Sequence, residues 1–493
     1  MKAQYDTYTY TSELCRLKSQ SIVECRVPGV EIVNVLATHV KTIPLSCECV
    51  DGEVKYGGKL IISIVYEDLE KRICRIERGA EFYHKAEDGS ITPACFAKAR
   101  YKAENVTTRR EGTGLYVSVI VGAGIQVFST RTREYLVGGE DIVVKKKAME
   151  MVKTFCVAGE IEQEDEFETD YVGDILLHSE RAILSSVTAK AGQLDVSGEV
   201  CVNLCVLKRD DQLCAYERFI PFSLQIPCEE AFGNVSVSVE VDVKEVKINA
   251  ACDEERRISK IAVAFAVFAD CTVYVKEEIL VAEDAFSTMQ EIKLQTQKSG
   301  GRYLTNCRRL VEQVGGDTAL LNGNIADGTL IVAFAPQVEL SCRKTENGGE
   351  IEGIAQADLL IKGEDGSYKK NALSLPFLFP VGDIADEAEA SGVVSGLTVR
   401  KKSDGGIMAE ATLKLSLKTY KNLDEEYVCG VEEGEALEEI DSAFCIFAPR
   451  EGEDLWQVAK RLKQRTEDVE KCNPELRFPI QKGEKIFIYR QNK

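Results

Sequence analysis

The sequence predicts a mainly β protein: three tandem β-sandwich-like domains followed by a small C-terminal α/β module of strand, helix, helix and strand. Three observations carry this prediction. A similar passage begins at Gly52, Gly192 and Gly349, with spacings of 140 and 157 residues, too long for a solenoid and suited to tandem domains. Short segments of alternating apolar and polar residues fill the chain around those passages. From Leu455 the period changes to that of a helix. The domains are expected at 1–150, 151–297 and 298–437, with the module at 438–493.

The first passage reads Gly52-Glu53-Val54-Lys55-Tyr56-Gly57-Gly58, then a strand through Leu60, Ile62, Ile64 and Tyr66 to a turn at Glu67-Asp68. The second runs from Gly192 to Glu199, continues as a strand through Val200, Val202, Leu204 and Val206, turns at Arg209-Asp210-Asp211 and reaches Pro221-Phe222. In the third, Gly349 to Gly353 precede Ala355, Ala357, Leu359 and Ile361, a turn at Gly363-Glu364-Asp365-Gly366, and Pro376-Phe377. Glu81-Phe82 stands in the first copy where the others have Pro-Phe. Each copy then has a second half of alternating segments, at Tyr116 to Val121, Ser236 to Val243 and Ala411 to Leu417. Ile261, Val263, Phe265 and Val267 alternate with Ala262, Ala264 and Ala266, the pattern of a strand covered on both sides. Many short alternating strands need a second layer to bury one face, hence two sheets per domain.

In the module, Cys445 to Ala448 is a short strand and Pro449 to Glu453 a turn. Asp454 is placed to cap a helix from Leu455 to Arg465, whose Leu455, Val458, Ala459 and Leu462 form an inward face with Lys460, Lys463 and Gln464 elsewhere. Thr466 is expected to cap a second helix that carries Glu467 and Asp468 in its first turn and ends at Asn473-Pro474. Lys485 to Tyr489 returns as a strand.

Composition, 44% hydrophobic and 29% charged, is that of a globular protein. The net charge of −20 argues against a nucleic-acid partner, because phosphate binding needs clustered Lys and Arg. The charge is uneven: from Ala443 onward eleven basic residues meet eight acidic ones, +3, which leaves −23 on residues 1–442. No basic segment followed by an apolar one opens the chain, and the apolar runs fall short of the ~18 residues of a membrane span. A protein without a signal peptide or membrane span, in the cytoplasm, is expected.

Eighteen cysteines include no Cys-x-x-Cys, and His39, His84 and His178 lie far apart, so the zinc spacings are absent and no metal or cofactor is expected. Cys47 and Cys49 share one strand face, as do Cys201 and Cys205. One reading makes them reduced, half-buried small hydrophobes. The other puts Cys201 and Cys205 outward, opposite the apolar face, where they could crosslink neighbouring molecules. No histidine adjoins a nucleophile motif, and neither Gly57-Gly58 nor Gly122-Ala123-Gly124 precedes a helix, so no enzyme or phosphate site is expected. The sequons at Asn105 and Asn234 read as chance matches, and Glu160 to Asp170 as a solvated acidic face without EF-hand spacing.

The C-terminal segment resembles a LysM module in Gly452, Leu455 and Trp456, in Asn473-Pro474, and in Gly483 before the last strand. The resemblance implies a shallow groove between Gly452 to Leu455 and Pro474 to Ile480, which in that family holds N-acetylglucosamine sugars of peptidoglycan or chitin. Here Gly452-Glu453-Asp454-Leu455 replaces the usual Gly-Asp-Thr-Leu, a carboxylate for a small hydroxyl, and Trp456 is expected to be packing. The repeated passages resemble SPOCS domains of spore-forming Firmicutes in Ile175 to Leu177, the glycine-spaced core Gly192 to Gly198, and Pro221-Phe222. Three such units followed by one LysM module resembles a clostridial family of spore-coat proteins. That likeness implies a mother-cell protein at the forespore surface whose module docks the coat-morphogenetic ATPase SpoIVA.

The expected recognition surface is Gly452, Glu453, Asp454, Leu455, Trp456, Lys460 and Lys463, with Asn473, Pro474 and Phe478 across the groove. The function expected is a non-enzymatic adaptor of spore coat or envelope assembly. Two alternatives stay open: a glycan-binding protein of the cortex or wall using the same groove, and a self-associating coat polymer crosslinked through Cys47, Cys49, Cys201 and Cys205.

Overall fold

Alternating segments become long antiparallel strands, and the same six-strand plan occurs three times. The computed structural model describes residues 2–28, 31–112, 114–209, 212–232, 235–318, 331–346, 348–363, 367–402, 407–437 and 444–489. The turn residues Asp210-Asp211 and Glu364 to Gly366, the sequon residue Asn234 and the module boundary at 438 lie outside these.

Unit 1 comprises β1 (Ala3–Val27), β2 (Asn34–Val50), β3 (Glu53–Glu67), β4 (Ile73–Glu87), β5 (Phe96–Glu111) and β6 (Gly114–Gly139), paired as sheets β2-β3-β4 and β1-β6-β5. Unit 2 repeats this with β7 (Ile142–Asp170), β8 (Val172–Lys190), β9 (Gln193–Lys208), β10 (Leu213–Pro227), β11 (Val235–Asp253) and β12 (Ile258–Ser287), as sheets β8-β9-β10 and β11-β12-β7. In unit 3 the first strand is split into β13 (Gln290–Lys298) and β14 (Arg302–Thr318). β15 (Ile331–Thr345), β16 (Gly348–Lys362), β17 (Tyr368–Gly382) and β18 (Glu387–Lys401) follow, and the last strand is split into β19 (Ile407–Asn422) and β20 (Glu426–Ala436). The split falls at Gly300 and Gly301, with φ of +57° and +121°, a conformation only glycine adopts freely. The units therefore join between β6 and β7 and between β12 and β13, and the boundaries expected at 150 and 297 fall inside β7 and β13.

Each unit buries one core between its two sheets. In unit 2, Val200, Val202, Leu204 and Val206 of β9 meet Ile261, Val263, Phe265 and Val267 of β12. The reverse face of β12 is covered at Ala266 but exposed at Ala262, so the expected two-sided burial holds over only part of that strand.

The repeated glycine has a physical cause. Gly58 pairs with Phe82, Gly198 with Phe222, and Gly353 with Phe377. In each pair the phenyl ring lies where a Cβ would be, 2.7, 2.6 and 2.7 Å from it at Cζ. The motif is thus a glycine covered by a cross-strand phenylalanine, and Glu81 in place of proline leaves it intact. This register spaces the copies by 140 and 155 residues, from Gly58 to Gly198 to Gly353, so Gly349 is not the counterpart of Gly192.

The units are packed together rather than strung out. Seven positions beyond each covered glycine stand Val65, Cys205 and Leu360, and all three enter one joint core with Leu213 and Tyr368. Register shifts at Leu36 and Leu176 turn two consecutive residues, Leu36-Ala37 and Leu176-Leu177, into the same core. Ion pairs cross every junction: Lys98 with Asp270 at 2.5 Å between units 1 and 2, Lys414 with Glu199 and Lys418 with Glu240 between 2 and 3, and Arg16 with Glu389 between 1 and 3. Beyond the sheets, β1 with β6, β7 with β12 and β13 with β20 continue as two-stranded ribbons. Their Tyr8, Tyr10, Tyr135, Met149, Met151, Val281 and Tyr427 form a second shared cluster.

His39 and His178, distant in sequence, lie near each other at the junction of units 1 and 2. His178 Nδ1 meets Glu180, and Lys41 Nζ lies 3.3 Å from the same carboxylate. Burial, aided by Arg181, His178 and Lys41, pushes the His39 pKa down to about 4. Burial opposes ionisation of Glu180, yet the His178 bond and the Lys41 charge hold its pKa below the usual value.

Two outcomes follow. Gly198→Ala, whose Cβ would lie 2.2 Å from the Ile183 carbonyl and 2.6 Å from the Phe222 ring, lowers stability by about 1–3 kcal/mol in urea unfolding. Gly124→Ala, with open space around its Cβ, changes it little. A histidine whose folded pKa is lowered loses stability as pH falls from its unfolded value, 6.5, toward about 4. Urea midpoints measured between pH 7 and 4.5 should therefore fall less steeply in His39→Gln than in the wild type.

Candidate functional site: the C-terminal module and its dock

The module consists of β21 (Phe444–Phe447), α1 (Leu455–Leu462), α2 (Thr466–Cys472) and β22 (Ile486–Tyr489), with β21 and β22 paired. Asp454 caps α1 as its residue type predicts, accepting from the Gln457 N–H at 2.7 Å while the Gln457 side chain accepts from the Asp454 N–H at 3.0 Å. The helix stops at Leu462, three residues before the expected end, because Lys463 turns left-handed at φ +52°. Thr466 is the first residue of α2 rather than its cap, which is Arg465. Val458 and Ala459 are fully buried and Leu455 and Leu462 partly so, as their spacing requires.

Most of the expected recognition residues are engaged within the chain. Asn473 is buried and staples the module. Its Nδ2 donates to the Val469 and Phe487 carbonyls and its Oδ1 accepts from the Phe487 N–H, at 2.8, 2.8 and 2.7 Å. Glu453 accepts from the Arg450 N–H at 2.8 Å and pairs with Arg461. Gly452, at φ +87°, donates to the Ile480 carbonyl at 2.8 Å, and Ile480 donates back to the Glu453 carbonyl at 2.9 Å. The two loops expected to flank the groove are therefore bonded directly to each other. Leu455 and Phe478 pack on the module core, and Pro474 is exposed.

Trp456, Lys460 and Lys463 point to the ribbon of unit 2 and the start of β13. The Trp456 indole N–H donates to Asp284 Oδ2 at 2.8 Å. Lys460 Nζ reaches both oxygens of Asp284, at 2.6 and 2.8 Å. Lys463 Nζ lies 2.7 Å from Glu291, and the Arg465 guanidinium donates to the Glu140 carbonyl at 2.5 Å. Phe286, 1% exposed, enters the module core beside Val458, Ala459 and Ile480, its ring 5.2 Å from that of Trp456. Trp456 thus packs, as expected, but against another domain. A bulge sets the aim: Ala282 pairs with Lys146 and Asp284 with Lys145, leaving Glu283 as the extra residue. Burial opposes ionisation of Asp284, but the Lys460 and Trp456 donors outweigh it and hold the carboxyl below its usual pKa. A depressed carboxylate strengthens the dock at neutral pH and loses that contribution only as pH falls through the lowered value.

Asp284, Phe286, Glu291 and Glu140 were not legible as a site, because an Asp and a Phe two apart in an alternating strand have no distinguishing signal. Of the two cysteine readings, the structure agrees with free, buried or half-buried thiols and not with outward-facing Cys201 and Cys205. Cys201 and Cys205 do lie opposite the apolar face of β9, but they are 0% and 3% exposed: Cys205 lies in the joint core of the units, and Cys201 beside Glu217 and Asn203. Burial, with the Glu217 carboxylate 3.4 Å away, pushes the Cys201 thiol up to about 12, and burial beside Cys214 does the same to Cys205. Cys47 and Cys49 share a face as predicted, but it is the core face of unit 1. All eighteen cysteines are free, and only Cys252 is exposed. Among the described residues no group of three or more His, Cys, Asp or Glu side chains is arranged to hold a metal, and no helix is long and apolar enough to cross a membrane.

Asn473→Ala removes the partner of the Phe487 N–H and two donors to the Val469 and Phe487 carbonyls and should destabilise the module by about 1–3 kcal/mol, read as faster amide exchange across β22 with units 1 to 3 unchanged. The chain matches no family model, no curated protein and no solved structure.

Proposed function

We propose that this chain is a non-enzymatic assembly adaptor of the spore coat or envelope, a SipL-like protein acting in the mother-cell cytoplasm at the forespore surface. On this reading three SPOCS-type units form the scaffold, and a LysM-type module docks a coat-morphogenetic ATPase of the SpoIVA kind. The observation that carries the reading is a small βααβ module, with Gly452, Leu455, Trp456, Asn473-Pro474 and Gly483 in its turns and helices, mounted on one end of a tightly joined β body. A scaffold that holds its three units through a common core presents the module at a defined place, as an adaptor requires. Protein rather than sugar is favoured because the two loops are bonded to each other and carry Glu453 and Asp454 where a sugar would lie. Burial of Cys49, Cys201 and Cys205 and partial burial of Cys47 weigh against crosslinking through those thiols.

Calorimetric titration of the full chain with the coat-morphogenetic ATPase of the same organism, and separately with N-acetylglucosamine oligomers, tests the reading. Saturable heat with the ATPase and none with the sugars is expected. Binding of the sugars alone would move the protein to the cortex or wall.

A further inference from the structure

The dock displays the chemistry of a ligand. Asp284 and Phe286 stand two apart on β12, so both leave the same strand face, while Ala285 turns to the opposite side and clusters with Leu136, Ile142 and Val428. The phenyl ring fills the apolar hollow beside Val458, Ala459 and Ile480, and the carboxylate takes the Trp456 N–H and the Lys460 ammonium together. Glu291 adds a second carboxylate for Lys463. The module groups that meet Asp284 and Glu291 are all donors: one indole N–H and two ammonium groups. Their complement is an acceptor-rich strand with an aromatic anchor. The charge balance agrees, since residues 443–493 carry +3 against −23 on residues 1–442.

We propose that the α1 face of the module is a reader for an extended acidic strand bearing a carboxylate two residues before an aromatic, occupied in cis by Asp284 and Phe286, and that a protein partner of this chemistry binds by displacing the cis strand. The inference rests on the adaptor reading and adds what the partner presents and what opens first. The two occupants exclude each other. Trp456 has a single N–H, and Asp284 holds it together with two of the three Lys460 N–H groups, so a second carboxylate cannot make the same set of bonds until the first has left. The rim is open to a competitor: the Lys460 side chain is 42% and that of Asp284 26% exposed.

The chain has one tryptophan, and it lies at the dock, so Trp456 emission in the full-length protein reports opening. The probe is a fluorescein-labelled peptide copying residues 279–291. In Asp284→Asn the emission should shift to the red, and the peptide should bind at least ten-fold tighter than to the wild type. A peptide lacking both the Asp284 carboxylate and the Phe286 ring should not bind. Glu291→Lys provides a second route: it should loosen the dock, and adding Lys463→Glu should restore it. Amide protection at Phe487, held by Asn473, verifies that the module stays folded in each variant. Equal peptide binding to the wild type and the opened variants would overturn the proposal, as would unchanged Trp456 emission in both single variants. The coat-morphogenetic ATPase separates the two readings. If it binds wild type and Asp284→Asn alike, the competition fails and the adaptor stands; if it binds neither while the peptide binds the opened form, the adaptor fails and the reader stands.

Discussion

The architecture depends on a second buried face. In each unit the central strand of the first sheet is apolar toward its own core and, near its end, apolar on the reverse side too: Ile64 and Val65, Leu204 and Cys205, Leu359 and Leu360 are consecutive and buried. One unit alone would leave Val65, Cys205 or Leu360 in water. Association of three units buries all of them in one joint core, and burial of an aliphatic side chain stabilises by about 1.5–3 kcal/mol each. The ion pairs across the junctions then set orientation more than they add stability, since partly exposed pairs contribute about 0–1 kcal/mol. Cys205 is placed by this constraint, as the second unit's member of a set whose other members are valine and leucine.

The same logic operates at the other end of the molecule. The ribbons that extend β1, β7 and β13 have too few strands to form a core alone, so they share their tyrosines and methionines. Their tips also bring the two junctions between units to one place, and there the module sits. Phe286 supplies the apolar part of that contact and Asp284 its direction, because one bulge turns both toward α1. An acidic body thus meets the module through a few donors and carboxylates around one buried ring.

Much of the module was readable because its signals are local. A cap needs Asp454 and Gln457 three residues apart, and an inward helix face needs Val458 and Ala459 at helical spacing; neither depends on the rest of the chain. The early end of α1 at Lys463 was not readable, since lysine has no intrinsic tendency toward positive φ and the residue is tied to Glu291 of another domain. The glycines mark the copies, but Gly349 stands two residues out of register with Gly52 and Gly192. The invariant feature is the Gly353 to Phe377 pair across two strands, which a reading along the chain does not register.

The sequence by itself determined that the chain is mainly β, that its plan recurs three times, and that a helical module closes it, because alternation, turns and caps are properties of neighbouring residues. Only the tertiary structure decided which faces are free. Period-two spacing shows that Cys201 and Cys205 lie opposite Val200 and Val202, yet whether Cys205 meets water depends on a third unit more than a hundred residues away. Trp456, Lys460 and Lys463 have the composition of a binding surface, and the chain's own Asp284, Phe286 and Glu291 occupy it. Burial is a property of what covers a face, and that partner is chosen by packing of the whole molecule rather than by the residues on the face.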